Sequence, residues 1–132
     1  MTPSKLYQTI QREGLSGREL EASLMSRAAR KLNRCVRSWD QRTSPEFQDN
    51  LDDALSFNQK LWTFLQVELS NPEHPIQADV RRSLLRLARY MDKTVMRLYS
   101  GGSLEDLQSL QRINEEIAAG LLQSVRDEQA RT

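Results

Sequence analysis

Apolar positions along this chain recur every three or four residues in four segments, separated by short polar stretches holding proline, glycine or serine. That is the periodicity of amphipathic α-helices rather than of strands. The pattern is widest in Leu51–Leu69. At about 100° per residue, Leu51, Leu55, Phe57, Asn58, Leu61, Trp62, Phe64, Leu65 and Leu69 share one half of the helical wheel, whereas a helix resting on a single neighbour needs a stripe only about 100° wide. The segment is therefore expected to touch two or three partners, or one partner helix and an apolar guest. Asn58 falls in the middle of the arc, where an unpaired amide costs about 1–3 kcal/mol, so a designated hydrogen-bond partner is expected for it.

Local signals place the ends of the helices. Residues 1–14 have only the weak pattern Leu6, Tyr7 and Ile10 after Pro3, too short for a helix stable without packing, and are read as a mobile or docked arm. Ser16 and Glu19 form a capping box, with Leu15 and Leu20 as a hydrophobic staple, and this predicts a first helix over 17–39. Its apolar face is Leu20, Leu24, Ala28, Leu32, Cys35 and Trp39. Ser44–Pro45 opens a second helix, 45–70, with Glu46 and Asp49 near its positive end. The run Asn71-Pro72-Glu73-His74-Pro75 breaks it, since each proline disfavours helical geometry in the residue before it. A third helix, 77–100, carries Val80, Leu84, Leu87, Met91, Val95 and Leu98 and stops at Gly101–Gly102. Ser103 caps a fourth, 103–126, with Leu104, Leu107, Leu110, Ile117, Leu121 and Val125, and residues 127–132 are read as a polar tail.

Four such helices, each about 35 Å long and joined by short connections, predict an all-α, antiparallel up-and-down bundle. The 132 residues are read as a single domain. Charge supports the neighbour order. Lys and Arg outnumber Asp and Glu six to two in 17–39 and again in 77–100, but stand one to five in 45–69 and two to four in 103–126, so consecutive helices are oppositely charged. A single cysteine excludes an internal disulfide, and no apolar run resembles a signal peptide or a membrane span. The expected location is the cytoplasm. The net charge of +1 makes no global case for nucleic acid or membrane.

Candidate chemistry is sparse. His74, the only histidine, stands in a proline-bounded loop without companions; Cys35 lies on an apolar face with no histidine to activate it; Gly101–Gly102 lacks the lysine of a phosphate loop. The carboxylate pairs Asp52–Asp53, Glu105–Asp106 and Glu115–Glu116 are adjacent in sequence, so the members of each point about 100° apart on a helix and read as solvated faces. No enzyme, metal or cofactor is expected. Basic stripes, Arg27, Arg30, Lys31, Arg34 and Arg37 on the first helix and Arg82, Arg86, Arg89, Lys93 and Arg97 on the third, could follow RNA phosphates. The blander expectation is that they pair with the acidic neighbouring helices. Asn114 interrupts the apolar arc of the fourth helix as Asn58 does that of the second; the two amides either bond each other and fix register or bond a partner chain.

At these residues the chain resembles a known family. Asn58-Gln59-Lys60-Leu61-Trp62 followed by Phe64, then Asn71-Pro72, Pro75-Ile76, Val80-Arg81, Ile113-Asn114 and Ile117-Ala118-Ala119-Gly120-Leu121 are similar, in order and spacing, to the FlaF family of flagellar biosynthesis proteins. Arg18-Glu19-Leu20-Glu21-Ala22, Ala28-Ala29, Leu32 and Trp39 fit the same pattern, and Glu115 departs from it, standing where a basic residue is expected. The resemblance implies a small cytoplasmic helical protein needed for flagellin secretion and filament assembly, acting as a flagellin export chaperone and linked functionally to the regulator FlbT. Flagellin's terminal amphipathic helices would then lie in an apolar groove, with Phe57, Asn58, Leu61, Trp62, Phe64 and Asn114 as the expected partner contacts. The alternative is an RNA-associated post-transcriptional regulator of flagellin synthesis, using the basic faces of the first and third helices.

Overall fold

Residues 17–73 and 78–131 are described by a computed structural model, and among them there are four long α-helices, one short 3₁₀ turn and no strand. The elements are α1 (Gly17–Arg37), the 3₁₀ turn (Trp39–Gln41), α2 (Pro45–Ser70), α3 (Ala78–Tyr99) and α4 (Leu104–Arg131). The expected arm over 1–14, the Leu15–Ser16 start signal, His74 and the side chain of Val125 lie outside the described residues.

Helix ends follow the local chemistry. Ser44 Oγ accepts the Phe47 amide at 3.1 Å with Pro45 at the first helical position. Gly101 takes φ = 92° just past α3, the left-handed turn that favours glycine. Ser103 and Asp106 then close a reciprocal capping box: the Asp106 amide donates to Ser103 Oγ and the Ser103 amide to Asp106 Oδ2, both at 3.2 Å. The C-terminal end of α2 is covered by Arg81, whose Nη1 donates to the carbonyls of Leu69 (3.0 Å) and Asn71 (2.9 Å).

Two expected ends move. α1 stops at Arg37, where the Ser38 hydroxyl bonds the Arg34 carbonyl at 2.8 Å, and Trp39 turns into the 3₁₀ segment. Trp39, expected in the core, is therefore half-buried: it packs edge-on against Phe47 with centroids 5.9 Å apart, and the Arg42 guanidinium stands 5.4 Å from its ring. At the other terminus the residues read as a polar tail continue α4 to Arg131.

α1 packs on α2 and α4, and α3 packs on the same two, so α1 and α3 are diagonal. Contacts run in antiparallel register: Lys31 with Asp53 across α1 and α2, Asn33 with Gln111 across α1 and α4, Arg97 with Asp106 across α3 and α4. The closest pairing is that of the first and last helices. Buried Ala22 and Ala29 on α1 and Ala118 on α4 are small enough to let the two backbones approach.

Leu24, Leu32, Leu55, Leu61, Trp62, Met91, Leu107 and Leu110 form the centre of the core. The wide arc of α2 is thus accounted for inside the molecule, being covered by α1, α3 and α4 at once. α3 is embedded along only half its length. Its buried residues, Ala88, Met91, Thr94, Val95 and Leu98, all lie toward its C-terminus, while Leu84 and Leu87 are half-covered and Val80, expected in the core, is 42% exposed.

Candidate partner-binding site

The polar interruptions of the core meet one another. Trp62 Nε1 donates to Asn114 Oδ1 at 2.9 Å, and Asn114 Nδ2 donates to Asn58 Oδ1 at 2.7 Å. An indole can only donate, so Trp62 orients the Asn114 amide, which in turn orients Asn58. The relay ties α2 to its diagonal partner α4. Both asparagines are fully buried, and Asn58 Nδ2 has no hydrogen-bond partner among the described residues. Of the two roles open to these amides, bonding each other is the one this structure displays, with one orphaned donor left over.

The other expected contacts separate into three surroundings. Leu61 is wholly covered; together with Asn58 and Asn114 it lies behind the packed faces of α1, α3 and α4 and meets a guest only if the bundle opens. Phe64 is half-buried against the core. Phe57, 8% exposed, floors a surface hollow between α1 and α2 that Arg27, Lys31, Asp53, Ser56 and Lys60 also line. The Lys31 ammonium sits 5.3 Å from the Phe57 ring centroid and 2.6 Å from Asp53 Oδ2.

Trp62 has a second neighbourhood, missed at the level of sequence. Its ring lines an apolar cavity of about 50 Å³ that every helix helps to wall: Glu21 and Met25 from α1, Leu65, Glu68 and Leu69 from α2, Leu84 from α3, and Ile117 and Leu121 from α4. The cavity lies toward the end of the bundle where α2 finishes and α3 begins. Burial pushes the Glu21 carboxyl above its ordinary pKa, the negative charge of Glu68 pushes it further, and Arg18 opposes both. Neither Glu21 nor Glu68 forms an ion pair among the described residues. A sequence clue existed in the glutamates facing inward on otherwise apolar stretches of α1 and α2, but their meeting depends on helix register.

The remaining candidates are less reactive. Cys35 is buried and free, and burial raises its pKa, which disfavours the thiolate. Among the described residues no cluster of His, Cys, Asp and Glu suits a metal ion, and no helix is long and apolar enough to cross a membrane. The expected pairing of basic stripes with acidic neighbours occurs as ion pairs at Lys31–Asp53 and Arg97–Asp106. The two stripes stand on the diagonal helices α1 and α3, with α2 and α4 between them, so they do not merge into one basic surface.

Fold and site together define an all-α four-helix bundle with a polar relay at its centre and an apolar cavity toward one end. The family model described as "Flagellar protein FlaF" matches residues 3–121, and the chain belongs to that family. A search of the curated proteins and a search of the solved structures each returned no match.

Proposed function

We propose that this flagellar protein binds flagellin in the cytoplasm before export, as a chaperone that shields flagellin's amphipathic terminal helices by packing rather than by catalysis. The observation that carries the reading is FlaF membership over residues 3–121, in a bundle whose four helices leave an apolar cavity between them. Helix-in-groove recognition needs an apolar receptor surface that can be exposed without unfolding the rest. The sparse burial on the cavity side of α3, where no residue is buried before Ala88, supports this reading. In this arrangement Trp62, itself buried, meets a guest through the cavity once α3 moves aside, Phe57 belongs to the separate hollow between α1 and α2, Phe64 packs half-buried against the core, and Asn58, Leu61 and Asn114 support the site from behind. A functional link to FlbT belongs to the same reading.

The test is calorimetric titration of the full chain with its cognate flagellin, and with flagellin truncated at either terminus. Saturable binding that one truncation abolishes, and that changes little between low and high salt, is expected. Leu84→Ala and Ile117→Ala, at half-covered cavity positions, should weaken binding while leaving the melting transition nearly in place. Absence of binding overturns the reading. Steep loss of flagellin binding with salt, or salt-sensitive retention of flagellin messenger RNA instead, also overturns it.

A further inference from the structure

The cavity that Trp62 lines has an asymmetry which the fold does not explain. Its walls are apolar, yet the two charged side chains that border it, Glu21 on α1 and Glu68 on α2, carry the same sign and have no cation paired with them among the described residues. Placing the Glu68 carboxylate near Glu21 in a partly desolvated place works against folding, since like charge and burial both disfavour the ionised form of Glu21. A stability-driven choice at either position would be an uncharged or basic residue. Arg18, one turn before Glu21 on the same helix, lowers the repulsion but does not remove it: the Glu21 pKa is still raised by burial and by Glu68. Features that oppose folding and are only partly compensated locally are more often found where a ligand supplies the missing interaction.

We propose that this end of the bundle selects a guest helix that inserts an apolar side chain into the cavity and places a lysine or arginine within one turn of it, between Glu21 and Glu68. The proposal rests on the binding function above and adds the chemistry by which the guest is chosen. Leu65 and Ile117 give the anchor its apolar walls, and Leu84 is the one α3 residue that has to move aside. The guest cation then meets two carboxylates in surroundings drier than bulk water, where a charge-assisted contact is stronger than at an open surface. An acidic guest would meet like charge, which makes the rim a discriminator as well as an attractor. Nonspecific attraction does not produce this preference, because the whole chain carries a net charge of +1.

Two synthetic amphipathic helices of equal length and identical leucine face decide the matter, one with lysines flanking that face and one with glutamates, each titrated into the full-length protein. The lysine peptide is expected to bind about tenfold more tightly or better, and the gap should close in the Glu21→Gln, Glu68→Gln double variant, whose thermal transition is monitored alongside. Equal binding of both peptides, or a preference that survives the double substitution, overturns the proposal. Flagellin titrated into the same double variant separates this inference from the function it rests on. Undiminished flagellin binding there sinks the charge selection and leaves the chaperone reading standing; flagellin that binds neither protein, beside a lysine-peptide preference, does the reverse.

Discussion

The two ends of the bundle are built differently. The end holding the α1–α2 and α3–α4 connections combines the Ser44 cap, the Ser103–Asp106 box, the left-handed turn at Gly101, the Trp39–Phe47 edge contact and the Arg97–Asp106 ion pair, while the opposite end has the Arg81 cap on α2. At the opposite end α1 and α2 still bury Leu20, Met25, Leu65 and Leu69, but α3 covers them only in part. Residues 78–87 of α3 contribute no buried residue, a cavity of about 50 Å³ remains, and two glutamates line it. Packing density and polar satisfaction account for most of a fold's stability, so the first end is expected to hold the bundle together and the second to yield first. A helix-binding protein needs this division, because a receptor surface that opens must be connected to a part that does not.

The largest test of the contrast is a pair of truncations. Leu107→Ala removes a fully buried side chain near the closed end and is expected to cost about 2–5 kcal/mol. Leu84→Ala removes a half-covered one beside an existing cavity, and about 1 kcal/mol or less is expected because little packing is lost. Urea unfolding of both variants, read as midpoint shifts at constant slope, checks this; equal losses would erase the distinction between the ends. Amide exchange sharpens it, with residues 78–87 exchanging well before 88–99.

Next in size is the relay between the two ends. Trp62→Phe keeps most of the ring volume and removes the donor that Asn114 Oδ1 has among the described residues, leaving that oxygen buried and unpaired. A loss of about 1–3 kcal/mol is expected. Trp62→Phe combined with Asn114→Leu should recover part of it, since an apolar pair leaves no orphan there, although Asn58 then loses its own partner. Additive losses in the double variant would mean that the bond contributes nothing beyond the separate packing of the two side chains.

A smaller effect belongs to the cap of α4. Ser103→Ala should cost about 0.5–2 kcal/mol, and the loss should depend on acid. The amide of Ser103 bonded to Asp106, helped by Arg97, holds the Asp106 carboxyl below its ordinary pKa despite some desolvation. A depressed folded-state pKa stabilises above the unfolded value of about 3.9 and loses that contribution as pH falls through the folded value. The gap between wild type and Asp106→Asn is therefore expected to be full at neutral pH and to close below about pH 4. A gap independent of pH would count against the box as the source.

Much of this fold was legible because it rests on short-range chemistry. Ser44–Pro45, Asn71–Pro72 and Gly101-Gly102-Ser103 mark boundaries by effects that act within one turn, and the alternating charge of consecutive helices matches the observed order. What was not legible depends on register between helices. The wide arc of α2 pointed equally to a guest or to three neighbours, and only packing distinguishes them; in this structure the neighbours cover Leu61, Asn58 and Asn114. The tight α1–α4 contact rests on Ala22, Ala29 and Ala118, which add little to any apolar pattern. Trp39 continued a helical face on paper, but α1 ends before it. Glu21 and Glu68 stand on different helices, and only the register between those helices sets them beside one cavity.

The last and smallest effect runs in the opposite direction to the others. Glu21 has a folded-state pKa raised by burial first and by Glu68 second, with Arg18 opposing. For an acid, a raised folded value means that the native state holds the proton more tightly than the unfolded chain, so stability falls as pH rises from about 4.3 through the raised value, and the penalty is complete above it. Glu21→Gln should therefore make the protein more stable at pH 7, with the advantage shrinking toward pH 4, as read from urea midpoints at both pH values. The same substitution is expected to weaken binding of a cationic guest. Gain of stability with loss of binding is the pattern of a residue kept for recognition, whereas a Glu21→Gln variant that is less stable at pH 7 would make the carboxylate an ordinary structural group and the open end an accident of packing.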